Sequence, residues 1–209
     1  MDVQNDFLPG GPLGVPEGDA VVPVIRRLAG ADAGPAGGEP ACDLLVATQD
    51  WHPADHGSFA ASHPGRAPGE TIELDGLEQI LWPTHCVQGT PGAALADGIA
   101  DLDFDAVFRK GEDPRTDSYS GFHDNGRRHD TGLAAWLRGH GVDEVLVTGL
   151  ACDYCVKWTA LDAVAEGFRT VLVRDATRGV ELSPGDVERA IDEMRAAGVR
   201  IATADDLAA

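Results

Sequence analysis

Cations are scarce in this chain. Sixteen lysines and arginines stand against 35 aspartates and glutamates in 209 residues, a formal net charge of −19 at pH 7. A surface this acidic repels phosphate, which argues against nucleic acid or an anionic membrane as partner and fits a small-molecule substrate. Lysine is rarer than arginine, Lys110 and Lys157 being the only two. Also lacking is an apolar run long enough to span a bilayer, and the N-terminus shows no basic-then-apolar leader, so the expectation is a cytoplasmic protein. Cysteine is limited to Cys42, Cys86, Cys152 and Cys155. With 43% hydrophobic residues the chain has ample core and no need of a disulfide staple. Its length predicts one domain over residues 1–209, as monomer or homo-oligomer.

Strand and helix patterns alternate along the chain. Asp43–Thr48, Ala106–Arg109, Glu144–Gly149, Thr170–Arg174 and Val199–Ala202 read as short apolar strands of the kind buried on both faces of a parallel sheet. Ala20–Leu28, Gly132–Gly139, Tyr154–Glu166 and Pro184–Ala197 carry helical spacing, the last with Ser183 as cap and Pro184 at the first helical position. This βαβ rhythm predicts an α/β fold with a doubly wound, mostly parallel sheet and helices on both faces. Ligands of such sheets bind beyond the strand C-terminal ends, where Asp50, Lys110 and Cys155 lie. Gly30–Pro40 reads as a Gly/Pro/Ala loop, and Asp113–Asp130 as a long polar stretch partly covering the site.

Cys155 follows a strand and opens a helix, where unpaired backbone N–H groups and the helix dipole favour a thiolate. On that segment alone a nucleophile and a packed core cysteine are equally good readings. Lys110 and Asp2 supply the cation and carboxylate that a nucleophilic cysteine needs. The pair Cys152 and Cys155 also has redox C-x-x-C spacing, so a thiol redox protein is the rival reading. Asp50-x-His52, followed at a distance by His85, offers one carboxylate and two imidazoles, a set suited to a divalent transition metal with open positions. Histidines in loops are more often surface residues than ligands, and His63, His123, His129 and His140 read as solvent-exposed.

Six blocks occur together: DVQNDF near the start, TQDWHPADHGSFA at 48–60, WPTHCVQGTPGA at 82–93, FRKG at 108–111, DSYSGF at 117–122 and GLACDYCVKWTALDA at 149–163. In this order they resemble the nicotinamidase/pyrazinamidase family of isochorismatase-like cysteine hydrolases. The resemblance implies hydrolysis of nicotinamide, and of pyrazinamide, to the acid and ammonia through a thioester on Cys155, serving NAD salvage. It implies Asp2 as proton carrier, Lys110 as the stabilising cation, and the backbone N–H groups of Ala151 and Cys155 as the oxyanion donors, with a cis peptide at Leu150–Ala151. Phe7, Trp82 and Tyr119 match positions lining the ring pocket. Asp50, His52 and His85 match metal ligands; some relatives recruit a fourth ligand from the loop holding His56, which is left outside the expected set. Oxygen and nitrogen donors leave zinc, iron and manganese open, with zinc the first expectation. The alternative within the same fold is another amide or ureido hydrolase.

Two departures from the family pattern stand out. Cys152 occupies a position where relatives commonly carry threonine. Relatives also have an apolar strand immediately before the DVQNDF block, whereas only Met1 precedes Asp2 here. The first strand is therefore expected to be truncated, leaving its two neighbours uncovered. The abundance of arginine over lysine, with much Ala, Gly, Asp and Val, points to GC-rich coding, in which GTG often initiates. The expectation is a natural protein with several more residues, mainly Val, Leu, Ile and Ala, ahead of Asp2, checked by translating the gene upstream in frame.

Overall fold

The computed structural model describes residues 1–31 and 40–207, so most of the Gly30–Pro40 loop lies outside the described residues. Strand β1 (Val46–Asp50) and strand β4 (Ala106–Lys110) pair in parallel, from Val46 opposite Ala106 to Asp50 opposite Lys110. That register brings a carboxylate and the rarer of the cation types together at one sheet end. Strands β5 (Glu144–Leu150), β6 (Arg169–Arg178) and β7 (Arg200–Ala202) form a second parallel sheet in that order.

Among the described residues four α-helices flank the strands: α1 (Val21–Leu28), α2 (Leu133–Gly139), α3 (Lys157–Ala165) and α4 (Asp186–Ala196). Side chains alternate across a strand, and β5 shows it. Leu146 and Leu150 pack with Val21, Ile25 and Leu28 of α1, whereas Val147 packs with Ala160 of α3 and with Ile191 and Met194 of α4. Helix α2 closes a third cluster through Leu133, Ala134 and Leu137 against Phe122 and Phe168. The result is the α/β fold, with parallel strands covered by helices on both faces, that the rhythm predicts.

Four details differ from the expectation. Strand β1 ends at Asp50 rather than Thr48, because pairing with β4 carries it two residues further. The helix expected from Tyr154 is preceded by a π-helical turn, Cys152–Val156, and its α-helical part starts at Lys157. Helix α4 begins after Gly185, in the left-handed region at φ 87°, and Ser183 contributes its backbone rather than a hydroxyl cap. An unforeseen antiparallel hairpin, β2 (Thr71–Leu74) and β3 (Leu77–Ile80), turns on Asp75 and Gly76 at φ 48° and 83°. Asp-Gly is the usual pair for such a turn, so the signal was in the sequence.

The five parallel strands do not form one sheet. Among the described residues β1 and β5 belong to separate sheets, and Met1 and Asp2 reach between them. Val46, Val145 and Leu146 are only half-buried, although parallel strands of this type are normally buried on both faces.

Candidate active site

The Lys110 ammonium is the hub. Buried at 3% exposure at the end of β4, its Nζ lies 2.9 Å from Asp2 Oδ2, donates to Asp50 Oδ1 and to Ser118 O at 2.8 Å, and approaches Cys155 Sγ at 3.4 Å. Burial opposes its charge, but Asp2, Asp50 and Cys155 outweigh it and hold its pKa well above the usual lysine value. It is therefore a fixed cation. Asp2 is almost wholly buried. Its Oδ1 accepts from Thr48 Oγ1, while Oδ2 faces Lys110 and accepts no other hydrogen bond.

Cys155 sits in the π-helical turn, buried, with Ala151 just ahead of that turn and the Leu150–Ala151 peptide cis. Its thiol does not have the low pKa that its place at a helix start suggests. Burial pushes it well above the usual value, Lys110 pulls it down, and the carboxylates of Asp2 and Asp50 push it up again. The resting group is a thiol, so a thiolate has to be made by proton transfer.

Asp50 joins this cluster to a second one. Its Oδ2 lies 3.7 Å from His52 Nε2 and 3.9 Å from His85 Nε2. Each histidine has its other nitrogen engaged: His52 Nδ1 bonds Gly111 O and His85 Nδ1 bonds Pro83 O, both at 2.8 Å. Such bonds fix the tautomer and turn both Nε2 atoms inward, as ligating histidines are held. Burial and the neighbouring His52 push the His85 pKa down to about 4, so it stays a neutral donor. The ligand atoms of Asp50, His52 and His85 all lie within 4.8 Å of one another, and the three residues are buried. This donor set fits a divalent metal. Gly111, at φ 70°, is required here because a Cβ would stand 2.3 Å from His52 Cε1.

The motif residues between these groups act as clasps. The Gln4 carboxamide donates to Asp50 O and accepts from Asp50 N, both at 2.8 Å, mimicking a missing ladder partner. Asp6 Oδ2 accepts from Cys86 N at 2.7 Å and holds the loop that carries His85. Trp82 Nε1 donates to Tyr119 Oη at 3.2 Å, and the two rings meet Tyr154 at centroid distances of 4.9 and 5.5 Å. The Phe7 ring stands 5.3 Å from the His85 ring.

Sequence reasoning missed Tyr154, Gln79 and Asp117. Gln79 is the buried side chain of the hairpin and donates to Asp117 Oδ2 at 3.0 Å. Asp117, His52 and His56 form a further group of buried donors, and His56 Nε2 has no partner among the described residues. The polar stretch 113–130 is buried at Thr116–Ser118, Ser120 and Phe122, so it builds the site wall rather than merely covering it. His63 and His123, expected to be exposed, are partly buried and bonded to Gly57 O and Glu166.

Cys152 is fully buried in the apolar cluster with Val156, Ile191 and Met194, and burial pushes its pKa up to about 11. That environment opposes the redox reading, and all four cysteines are free thiols. Cys152→Ser is therefore expected to leave turnover and alkylation-sensitivity near wild type; loss of both would restore the redox reading.

The isochorismatase domain model matches residues 46–206. A nicotinamidase of Escherichia coli (strain K12) is 50% identical over 206 residues, covering 99% of this chain and 93% of the relative. The chain belongs to the nicotinamidase branch of the isochorismatase family. A solved nicotinamidase/pyrazinamidase of Acinetobacter baumanii, 44% identical, superposes with a TM-score of 0.89 over 99% of this chain and 94% of that one. A Pyrococcus horikoshii pyrazinamidase solved in complex with zinc is 41% identical, at TM-score 0.72 over 97% and 95%. Members of this family are hydrolases, and this chain is an enzyme of that class. Among the described residues no helix is long and apolar enough to cross a membrane.

Proposed function

We propose that the protein hydrolyses nicotinamide, and pyrazinamide, to the corresponding acid and ammonia by way of a thioester on Cys155. The observation that carries this reading is the contact of one fixed cation, Lys110, with Asp2, Asp50 and Cys155 at the edge of an aromatic-walled site. Asp2 Oδ2, its one free oxygen beside Lys110, takes the thiol proton, and the thiolate attacks the carboxamide carbon. The N–H groups of Ala151 and Cys155 receive the developing oxyanion, a contribution of about 3 kcal/mol per donor. Asp2 returns its proton to the leaving nitrogen and ammonia departs. Asp2 then takes a proton from an entering water, whose oxygen attacks the thioester; the acid leaves and the thiol is restored. Lys110 holds charge balance as the anion moves between Cys155 and Asp2.

Phe7 on one side and Trp82 with Tyr119 on the other hold the ring. Asp50, His52 and His85 hold the metal, for which zinc is our reading. Bound there, the ion supplies Lewis acidity and an anchor for a pyridine-type nitrogen. The setting we propose is salvage of nicotinamide in the cytoplasm.

Ammonia release from nicotinamide, pyrazinamide and an N-carbamoyl amide, with and without chelator, tests the reading. Nicotinamide turnover suppressed by chelator is expected; preference for the N-carbamoyl substrate would favour the ureido hydrolase alternative. Elemental analysis supplies a second test. Asp50→Ala, His52→Ala and His85→Ala should each lose most of their metal, and His56→Ala little, since His56 belongs to a cluster that shares only His52 with the ligand set. Full metal retention by His85→Ala would remove it from that set.

A further inference from the structure

His56 is left aside by the metal reading, yet it is fully buried and its loop is tied down. His56 N donates to Pro53 O at 3.0 Å and Ser62 Oγ donates to His56 O at 2.9 Å. Gly57 N donates to Pro114 O at 2.8 Å, which clamps the loop to the start of the polar stretch 113–130. The ring lies 4.4 Å from that of His52.

The neighbours of each histidine decide which ring nitrogen carries the proton. His52 and His85 present Nδ1 to the carbonyl oxygens of Gly111 and Pro83, and a carbonyl only accepts. Both therefore carry the proton on Nδ1 and leave the Nε2 lone pair for a metal. His56 is built the other way round. Its Nδ1 faces Ser58 N at 3.2 Å, and a backbone N–H only donates; the Ser58 hydroxyl, at 2.7 Å, adds a second donor. Nδ1 is thus the acceptor, which excludes both the imidazolium and the Nδ1–H tautomer. The proton sits on Nε2, a nitrogen without a hydrogen-bond partner among the described residues. A ligating Nε2 needs its lone pair, so this ring cannot join the metal without breaking the Ser58 contact.

Acceptors lie close to that N–H. Burial and then His52 lower the His56 pKa, whereas Asp117, Asp50 and the Asp113 backbone carbonyl act the other way. One nitrogen of His56, one of His52 and a carboxylate oxygen of Asp117 lie within 4.8 Å of one another, a separation that a water molecule can bridge. Asp117 is itself fixed: Oδ2 accepts from Gln79 Nε2 at 3.0 Å and Oδ1 from Ser118 N at 2.8 Å. Each oxygen keeps a lone pair for a further donor.

We propose that His56 is a hydrogen-bond donor rather than a metal ligand, and that His56 Nε2–H and the Asp117 carboxylate form a buried subsite, beside the metal ligands, that holds a water molecule. The water accepts from His56 and donates to Asp117, which satisfies the one orphaned nitrogen of this cluster. Ser58 sets the tautomer through its backbone, and Gln79 on the β2–β3 hairpin holds the accepting carboxylate in place. The subsite depends on the metal reading above only in that His52 borders both groups.

A crystal structure of the zinc-loaded protein, with anomalous maps recorded at the zinc edge, tests this. A single anomalous peak is expected among Asp50, His52 and His85, with a non-anomalous water peak in hydrogen-bonding distance of both His56 Nε2 and Asp117. Long-range proton–nitrogen correlation of the histidine rings should show His56 protonated on Nε2 and bare on Nδ1. His52 and His85 should show the reverse. Ser58→Ala should keep the His56 pattern, because the backbone N–H remains. Zinc bonded to His56 Nε2, an anomalous peak between His56 and Asp117, or a proton on His56 Nδ1 in the wild type or in Ser58→Ala would each overturn the proposal. So would an Nε2–H with no water before it. A protein that binds no zinc at Asp50, His52 and His85 would instead count against the metal reading, and the His56 proton and water, read in that metal-free protein, would still decide this one.

Discussion

Cys155→Ala is expected to abolish ammonia release, by about four orders of magnitude or more, while fold and metal content stay nearly unchanged. Among the described residues Cys155 is the one thiol hydrogen-bonded to Lys110, and the metal group is built from other residues, so removing it deletes the covalent step alone. The resting thiol is held above its usual pKa by burial and by two carboxylates, so attack depends on Asp2 accepting its proton. Asp2→Asn should accordingly cost nearly as much as Cys155→Ala. The double variant should be little worse than either single one, because groups that act as one unit give non-additive losses. Single-turnover assays with elemental analysis of the same samples make the check. Additive losses, or residual turnover in Cys155→Ala that iodoacetamide does not touch, would end the thioester mechanism.

The parts legible in the sequence were those set by local pattern. Buried parallel strands are short apolar runs, and β4, β5 and β7 fall within a residue of their expected places. What pattern could not supply was anything decided across the sheet. Strand β1 reaches Asp50 only because β4 is there to pair with it, and β6 continues to Arg178 across an irregularity opposite Val147–Gly149. The site shows the same division. Asp2, Lys110, Cys155 and the three metal-type residues stand in motif blocks, and the fold brings them together. Gln79 and Asp117 escaped because their importance lies in one long-range hydrogen bond between a hairpin and a loop. The direction of the Cys155 pKa was misjudged for a related reason. A helix start is visible in sequence, whereas complete burial between two carboxylates is not, and burial has the larger effect.

Lys110→Ala should damage the protein twice. Catalysis should fall by orders of magnitude, because the charge that balances Asp2 and Cys155 is gone. Stability should fall by about 3–5 kcal/mol, the usual consequence of removing one partner from a buried ion group. The pH dependence identifies the cause. In the wild type burial disfavours ionised Asp50, but Lys110, then His52 and His85, hold its pKa below the ordinary carboxylate value. That contribution is present above the unfolded pKa and is lost as pH falls through the folded one, so acid destabilises the wild type. Without Lys110 its strongest opponent is missing, burial remains, and the Asp2 carboxylate is close by. The folded pKa of Asp50 then rises above the unfolded value, and stability increases as pH is lowered from 8 toward 5. Across that range Asp50 gives the metal-free wild type no slope, being ionised in both folded and unfolded states, whereas metal-free Lys110→Ala should gain stability as pH falls; melting curves of the two make the check. Lys110→Arg should not restore activity, because a planar guanidinium cannot place one nitrogen on Asp2, Asp50, Ser118 and Cys155 together. Parallel pH slopes in wild type and Lys110→Ala would show that Asp50 does not depend on this lysine for its charge.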